Sequence, residues 1–167
     1  LDHSSANATF ANKSIGSGKT ITITGITIGG TDAANYSLTQ PSTSADVTAK
    51  ELTVSGITAN NRTYDASTSA TSQLVLGSAA LVGKQGSDIV TLSTASAAGA
   101  FADKNIGVGK TITISGLTIS GTDAGNYTLT QPSTSASVLA KAITVTGITA
   151  NNRVYDATTS ATALLKP

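Results

Sequence analysis

One stretch of this chain is written twice. FANKSIGSGKTITITGITIGGTDAANYSLTQPSTSADVTAKELTVSGITANNRTYDASTSAT begins at Phe10, and FADKNIGVGKTITISGLTISGTDAGNYTLTQPSTSASVLAKAITVTGITANNRVYDATTSAT begins at Phe101, 91 residues later. The match runs from Leu1 against Leu92 to Leu74 against Leu165. A period of 91 residues is too long for one solenoid coil and suits one small β-sandwich domain. The chain, at 167 residues, is shorter than two periods, and Gly77 to Val90 occurs once. The first division is therefore residues 1–76 as a truncated first copy, 77–91 as a connector or extra strands, and 92–167 as the second copy. The repeat leaves open whether the folding unit is the whole period or a repeated block with a connector.

Within each copy the signal is β. In KTITITGITI, Ile21 and Ile23 alternate with Thr20, Thr22 and Thr24, and Ile112 and Ile114 repeat the pattern. Period-2 alternation of β-branched residues puts an apolar face opposite a hydroxyl face. Further strands are expected around Val90 to Ala98, Tyr127 to Gln131, Ala136 to Leu139 and Ala142 to Thr146. Turn chemistry falls at Gly16-Ser17-Gly18, Gly29-Gly30, Gln40-Pro41-Ser42 and Gln131-Pro132-Ser133. Gly18 and Gly109 read as hairpin tips. Leu74 to Val82 is the most apolar run and reads as a strand pair or a short helix. Gly25, Gly56, Gly116 and Gly147 share a Gly-Ile/Leu-Thr pattern and read as strand ends with a glycine bulge. Many short strands with frequent turns suggest a sandwich.

Composition narrows the function classes. Charged residues are only 11% of the chain and its formal net charge is +1, so no basic surface points to nucleic acid. There is no cysteine, hence neither a disulfide framework nor thiol chemistry. No apolar run reaches the roughly 18 residues of a membrane span. The start at Leu1 shows no secretion signal, which is uninformative because the chain opens partway through a repeat.

The segment TDAGNYTLT, Thr122 to Thr130, with its copy TDAANYSLT, Thr31 to Thr39, resembles the F-strand signature of immunoglobulin domains. That resemblance implies corner tyrosines at Tyr36 and Tyr127, each bonding back to upstream backbone, with Asp32 and Asp123 closing the preceding turn. Leu38 and Leu129 stand where that family has cysteine. A plain turn followed by a strand fits the same residues. Both readings are structural.

ANNRTYDASTSAT from Ala59 and ANNRVYDATTSAT from Ala150, together with FADKNIG and GKTITISGL, resemble the YDG family and, more loosely, the MBG repeats. These are tandem modules of very large bacterial surface proteins, often filamentous-haemagglutinin-like adhesins. Tyr64, Asp65, Tyr155 and Asp156 carry the matching positions. The family usually has glycine after Tyr-Asp, whereas Ala66 and Ala157 stand here, which predicts no positive φ at that site. The resemblance implies an extracellular module without a catalytic site.

The residues offer little to chemistry. His3 is the single histidine, so no triad and no metal-ligand spacing can be written. Gly-x-Gly-Lys-Thr leads into a strand and is not a phosphate loop. No EF-hand loop exists. A calcium at a module junction would draw on Asp65, Asp88 or Asp156. A Lys–Asn/Asp crosslink would use Lys50 or Lys141, which more often snorkel to solvent.

These readings combine into an expectation: an all-β chain of tandem immunoglobulin-like β-sandwich modules without disulfides, with strand sharing between repeats left open. It is expected to be a stalk or spacer of a secreted bacterial cell-surface adhesin serving adhesion or biofilm formation, not an enzyme, with no cofactor or metal. Its expected partners are neighbouring repeats of the same chain, with host or surface glycan or protein engaged through other domains. Neither nucleic acid nor membrane insertion is expected, and a strand-swapped homo-oligomer stays open. The competing reading is a carbohydrate- or surface-binding module using the threonine face of Thr20, Thr22, Thr24 and Thr27.

Overall fold

The computed structural model describes residues 1–160 and 165–166. All regular structure among them is β-strand, apart from three-residue 3-10 turns at Ala33–Asn35, Thr71–Gln73 and Ala124–Asn126. None of the described helical turns is long and apolar enough to cross a membrane.

The first copy forms one antiparallel sheet of β1 (Asn7–Phe10), β2 (Gly16–Thr24) and β3 (Ser42–Val47). The Ile/Thr alternation does what the period demands: Ile21 and Ile23 share the half-buried face, and Thr20, Thr22 and Thr24 are exposed.

The central region runs through eleven strands. They are β4 (Lys50–Ser55), β5 (Thr58–Ala59), β6 (Arg62–Thr63), β7 (Leu74–Val75), β8 (Ala80–Val82), β9 (Thr91–Ser93), β10 (Ala98–Phe101), β11 (Gly107–Ser115), β12 (Thr118–Ser120), β13 (Tyr127–Leu129) and β14 (Ser133–Leu139). The main sheet has the order β10-β11-β14-β6, and a second has β13-β4-β8. Two parallel strand pairings tie the early strands to the late ones, β14 with β6 and β13 with β4, and an antiparallel bridge between Ser69 and Ala100 adds to them. The pairs β9–β12 and β5–β7 complete the frame.

Two apolar clusters lie inside. The larger holds Ala70, Phe101, Ile112, Ile114, Leu117, Ala136 and Val138, with Val54, Ile57, Tyr64 and Leu74 packed on it. The smaller holds Leu52, Val90 and Tyr127. The cores therefore draw on residues 52–138 and take in the single-copy segment as well as both neighbouring copies. Full burial of a side chain such as Ile112 or Leu52 contributes about 2 kcal/mol.

The last part of the second copy, from Lys141, is different. It pairs only β15 (Thr149–Ala150) with β16 (Leu165–Lys166), and residues 141–160 are exposed throughout. Residues 161–164 and Pro167, the end of the second copy, lie outside the described residues.

Several sequence expectations need adjusting. Leu74 to Val82 yields two short strands, yet β7 pairs with β5 and β8 with β4, not with each other. Val90 to Ala98 is broken by a turn, where the Ala97 N–H donates to the Thr94 carbonyl at 3.0 Å. Ala142 to Thr146 forms no strand, although its repeat is β4; it lacks the partners that β13 and β8 give β4. Gly18 and Gly109 are not hairpin tips. They sit at φ +60° and +59° inside β2 and β11, where the register slips between Gly16 and Lys19 and between Gly107 and Lys110. A positive-φ glycine at such a slip is a β-bulge. The bulge aims Lys110 back at the hairpin loop, where Nζ donates to the Asp103 carbonyl (3.0 Å) and Asn105 carbonyl (2.7 Å).

Ala66 and Ala157 are corrected outright. Both adopt positive φ, 66° and 58°, so alanine occupies a backbone conformation that glycine takes without strain.

Candidate functional site

The repeated motifs do their first work locally. In the Arg62–Ala70 loop the Arg62 side chain is buried. Its Nη1 donates to Asp65 Oδ2 at 3.1 Å and to the Ser69 carbonyl at 2.6 Å, and its Nη2 donates to the Ser67 carbonyl. The guanidinium lies 4.9 Å from the centre of the Phe101 ring, a cation–π stack. Asp65 Oδ1 accepts from the Ser67 N–H at 2.9 Å, and that tight turn forces Ala66 into positive φ. The Tyr64 N–H donates to the Leu139 carbonyl at 2.8 Å, and its side chain packs on the larger core. The Tyr-Asp motif is thus the rim of a buried arginine.

Arg153 ties the same knot in the next copy, with Asp156 Oδ2 at 3.1 Å and the Ser160 carbonyl at 2.6 Å. There Tyr155 is 90% exposed.

A different constellation joins the first copy to the central region. Lys13 Nζ, on the loop between β1 and β2, lies 2.8 Å from Asp88 Oδ1 and 2.9 Å from Asp123 Oδ1. Asp88 Oδ2 accepts from the Tyr127 hydroxyl at 2.7 Å, and that hydroxyl accepts from the Gln85 N–H at 3.1 Å. Asp123 Oδ2 accepts from the Ile89 N–H at 3.0 Å. The Ile15 N–H donates to Asn126 Oδ1 at 3.0 Å. A cleft of about 350 Å³ lined by Lys13, Ile15, Val47, Gln85, Asp88 and Tyr127 runs along this contact.

The electrostatics follow from these bonds. Lys13, and next Tyr127, hold the Asp88 carboxyl below the usual carboxylate value. The Ile89 N–H, and then Lys13, do the same for Asp123. The two carboxylates raise Lys13 above the usual lysine value, and Asp88 raises the Tyr127 phenol. Lys13 remains largely solvent-exposed while its partners do not. The arrangement is an anchor for one ammonium group. Asp88 carries no free oxygen toward a metal, and among the described residues no three His, Asp or Glu side chains gather.

Of the residues singled out from sequence, Asp123 and Tyr127 meet here, while Asp65 meets Arg62 and Ser67 in its own loop and Tyr64 bonds Leu139 and packs on the larger core. The Tyr127 hydroxyl does bond upstream backbone, the Gln85 N–H, and it also reaches the Asp88 carboxylate, whereas the Asp123 side chain caps no turn of its own but holds Ile89. Asp32 and Tyr36 have no counterpart of that environment, and Tyr36 is 72% exposed. Lys50 and Lys141 are exposed, and Thr20, Thr22, Thr24 and Thr27 all face solvent. Lys13, Asp88, Asn126 and Arg62 were not singled out as a set. Arg62 was findable, being an arginine kept in both copies of a charge-poor chain. The Lys13–Asp88 pair was not, because Asp88 lies in the single-copy segment.

A family model described as YDG domain matches residues 1–45 and 48–136. No curated protein and no solved structure matches the chain.

Proposed function

The chain belongs to the YDG domain family, and from that premise we propose that it is a structural repeat of a secreted bacterial surface adhesin, a spacer in a stalk of tandem immunoglobulin-like β-sandwich modules. The observation that carries this reading is the Lys13–Asp88–Asp123 contact. One repeat places its hairpin loop on Asp88 of the single-copy segment and on Asp123 of the repeated block after it, so the two together serve as its seat. The folding module in this reading spans β4 to β14, one period in length, and the second matched stretch covers most of it. The side chains that recur are spent on internal bonds, as Arg62 and Lys110 are, which suits a spacer.

Scattering from arrays of increasing repeat number tests the proposal. A maximum dimension that lengthens by a constant step per repeat supports it; arrays that collapse into one globule contradict it.

A further inference from the structure

We propose that the central module bears tension: its first strand run, β4 to β6, and its last, β13 to β14, form a parallel seam that pull along the chain loads in shear. The stalk reading supplies a source of load, but the resistance belongs to the module and is measured without it.

The geometry starts from strand direction. Most of the module is paired antiparallel: β10 with β11, β11 with β14, β9 with β12, β4 with β8 and β5 with β7. Among the described residues, only the runs that carry the chain in and out pair in parallel. Tyr127, Thr128 and Leu129 lie beside Lys50, Glu51 and Leu52, and Val138 and Leu139 lie beside Arg62 and Thr63. Between those two patches the offset drifts by one residue, so Lys50 to Thr63 and Tyr127 to Leu139 travel the same way in step. The chain therefore enters at one end of the seam, beside Tyr127, and leaves at the other, beside Thr63. Two residues, Thr48 and Ala49, join β3 to β4, so pull reaches the seam with little slack. Tension draws Lys50 backward and Leu139 forward. Every bond across the seam is then strained at once, because neither run can peel from its end. Were the two runs antiparallel, entry and exit would share one end and the bonds would open one after another.

Side chains keep the runs from sliding. The Thr130 N–H donates to the Leu52 carbonyl at 2.9 Å, and the Tyr64 N–H donates to the Leu139 carbonyl at 2.8 Å. The Ser137 N–H donates to Asn61 Oδ1 at 2.7 Å, and the Thr130 hydroxyl donates to the Glu51 carboxylate. Leu52 is buried against Val90 and Tyr127, and Val138 is buried in the larger cluster. A slip of one residue turns each strand's faces over and takes Leu52 and Val138 out of the cores. Arg62 locks the far end: its guanidinium is buried over Phe101 and holds the Ser67 and Ser69 carbonyls. The seam thus couples its backbone bonds to both apolar clusters, and forced opening must break them together.

Pulling single molecules in two directions tests this. The chain has no cysteine, so paired substitutions at exposed positions of the full chain define where DNA handles attach. Thr48→Cys with Ala140→Cys loads the seam lengthwise. Thr48→Cys with Gly125→Cys, where an added Cβ meets nothing within 4 Å, pulls β4 from the adjoining end of β13 and opens the seam stepwise. Both directions strain the Lys13 contact, so the difference between them belongs to the seam. Forced unfolding reports the barrier rather than the equilibrium stability. At one loading rate the lengthwise force is expected to exceed the peeling force several-fold, with the module giving way in a single step. Asn61→Ala, which removes the acceptor of the Ser137 N–H at the far end of the seam, is expected to lower the lengthwise force and leave the peeling force unchanged. Equal forces in the two directions, or a smaller lengthwise force, overturn the proposal. So does an Asn61→Ala chain whose lengthwise force matches wild type, or one in which both forces fall alike.

Discussion

The first copy and its repeat in the central module are nearly the same text in different company. Phe101, Ile112, Ile114 and Val138 are buried, and Phe10, Ile21, Ile23 and Val47 are half-covered or exposed. Tyr127–Leu129 is a strand, and Tyr36–Leu38 is not. The hairpin and its bulge, by contrast, are the same in both, and so is the glutamine that closes the sheet edge. Gln131 exchanges hydrogen bonds with the Leu117 backbone at 3.0 and 2.9 Å, and Gln40 does so with Ile26 at 3.1 and 2.8 Å. Whatever is bonded within residues 1–47, the β2–β3 pairing included, survives alone. Whatever depends on β4 and β6 is lost.

The comparison can be broken by paired substitutions. The largest difference is expected in the core: Ile112→Ala should destabilise the module by about 2–5 kcal/mol in denaturant unfolding, and Ile21→Ala, whose site is already open, by under about 1 kcal/mol. Equal losses at the two sites would abolish the distinction. Arg62→Ala should cost about 3 kcal/mol, since it strands the Ser67 and Ser69 carbonyls and uncovers Phe101. Arg153→Ala should leave the main unfolding transition where it was. Ala66→Gly should stabilise by about 1 kcal/mol by relieving the positive φ, an effect that thermal unfolding resolves. Ala157→Gly should not move the same transition.

The smallest effect concerns the junction. Asp88 and Asp123 are held below their ordinary values, so the folded state favours their charged forms. Their contribution is complete above about pH 4 and is lost as pH falls through the lowered values. Protection of the Ile15 amide, which donates to Asn126, should fall with it, and Lys13→Ala should lower that protection at neutral pH. Amide exchange of Ile15 that ignores both changes would remove the clamp as the link between copies.

Much of the fold was legible because β-branched alternation and Gly and Gln-Pro punctuation act over short range. Ile21 and Ile112, and the breaks at Pro41 and Pro132 just before β3 and β14, lie where the period puts them. The positive φ at Ala66 was not legible, because the Asp65–Ser67 turn and the buried Arg62 impose it against the preference of alanine. The parallel pairings of β4 and β6 were hidden as well, since they join strands more than seventy residues apart and have no hairpin signal. Half of the junction was visible in Asp123 and Tyr127. Asp88 was placed at a junction only as a calcium candidate; its ammonium partner Lys13 was hidden, because Asp88 belongs to the segment that the repeat does not echo.

Native-state hydrogen exchange on dilute, monomeric chain tests the central claim directly. If the module is built from β4 to β14 and the first copy is an uncovered half of the same design, Ile112, Ile114 and Val138 amides exchange only through global unfolding. Ile21, Ile23 and Val47 then exchange much faster, through local opening. Equal protection of the two sets in the monomer would contradict the account.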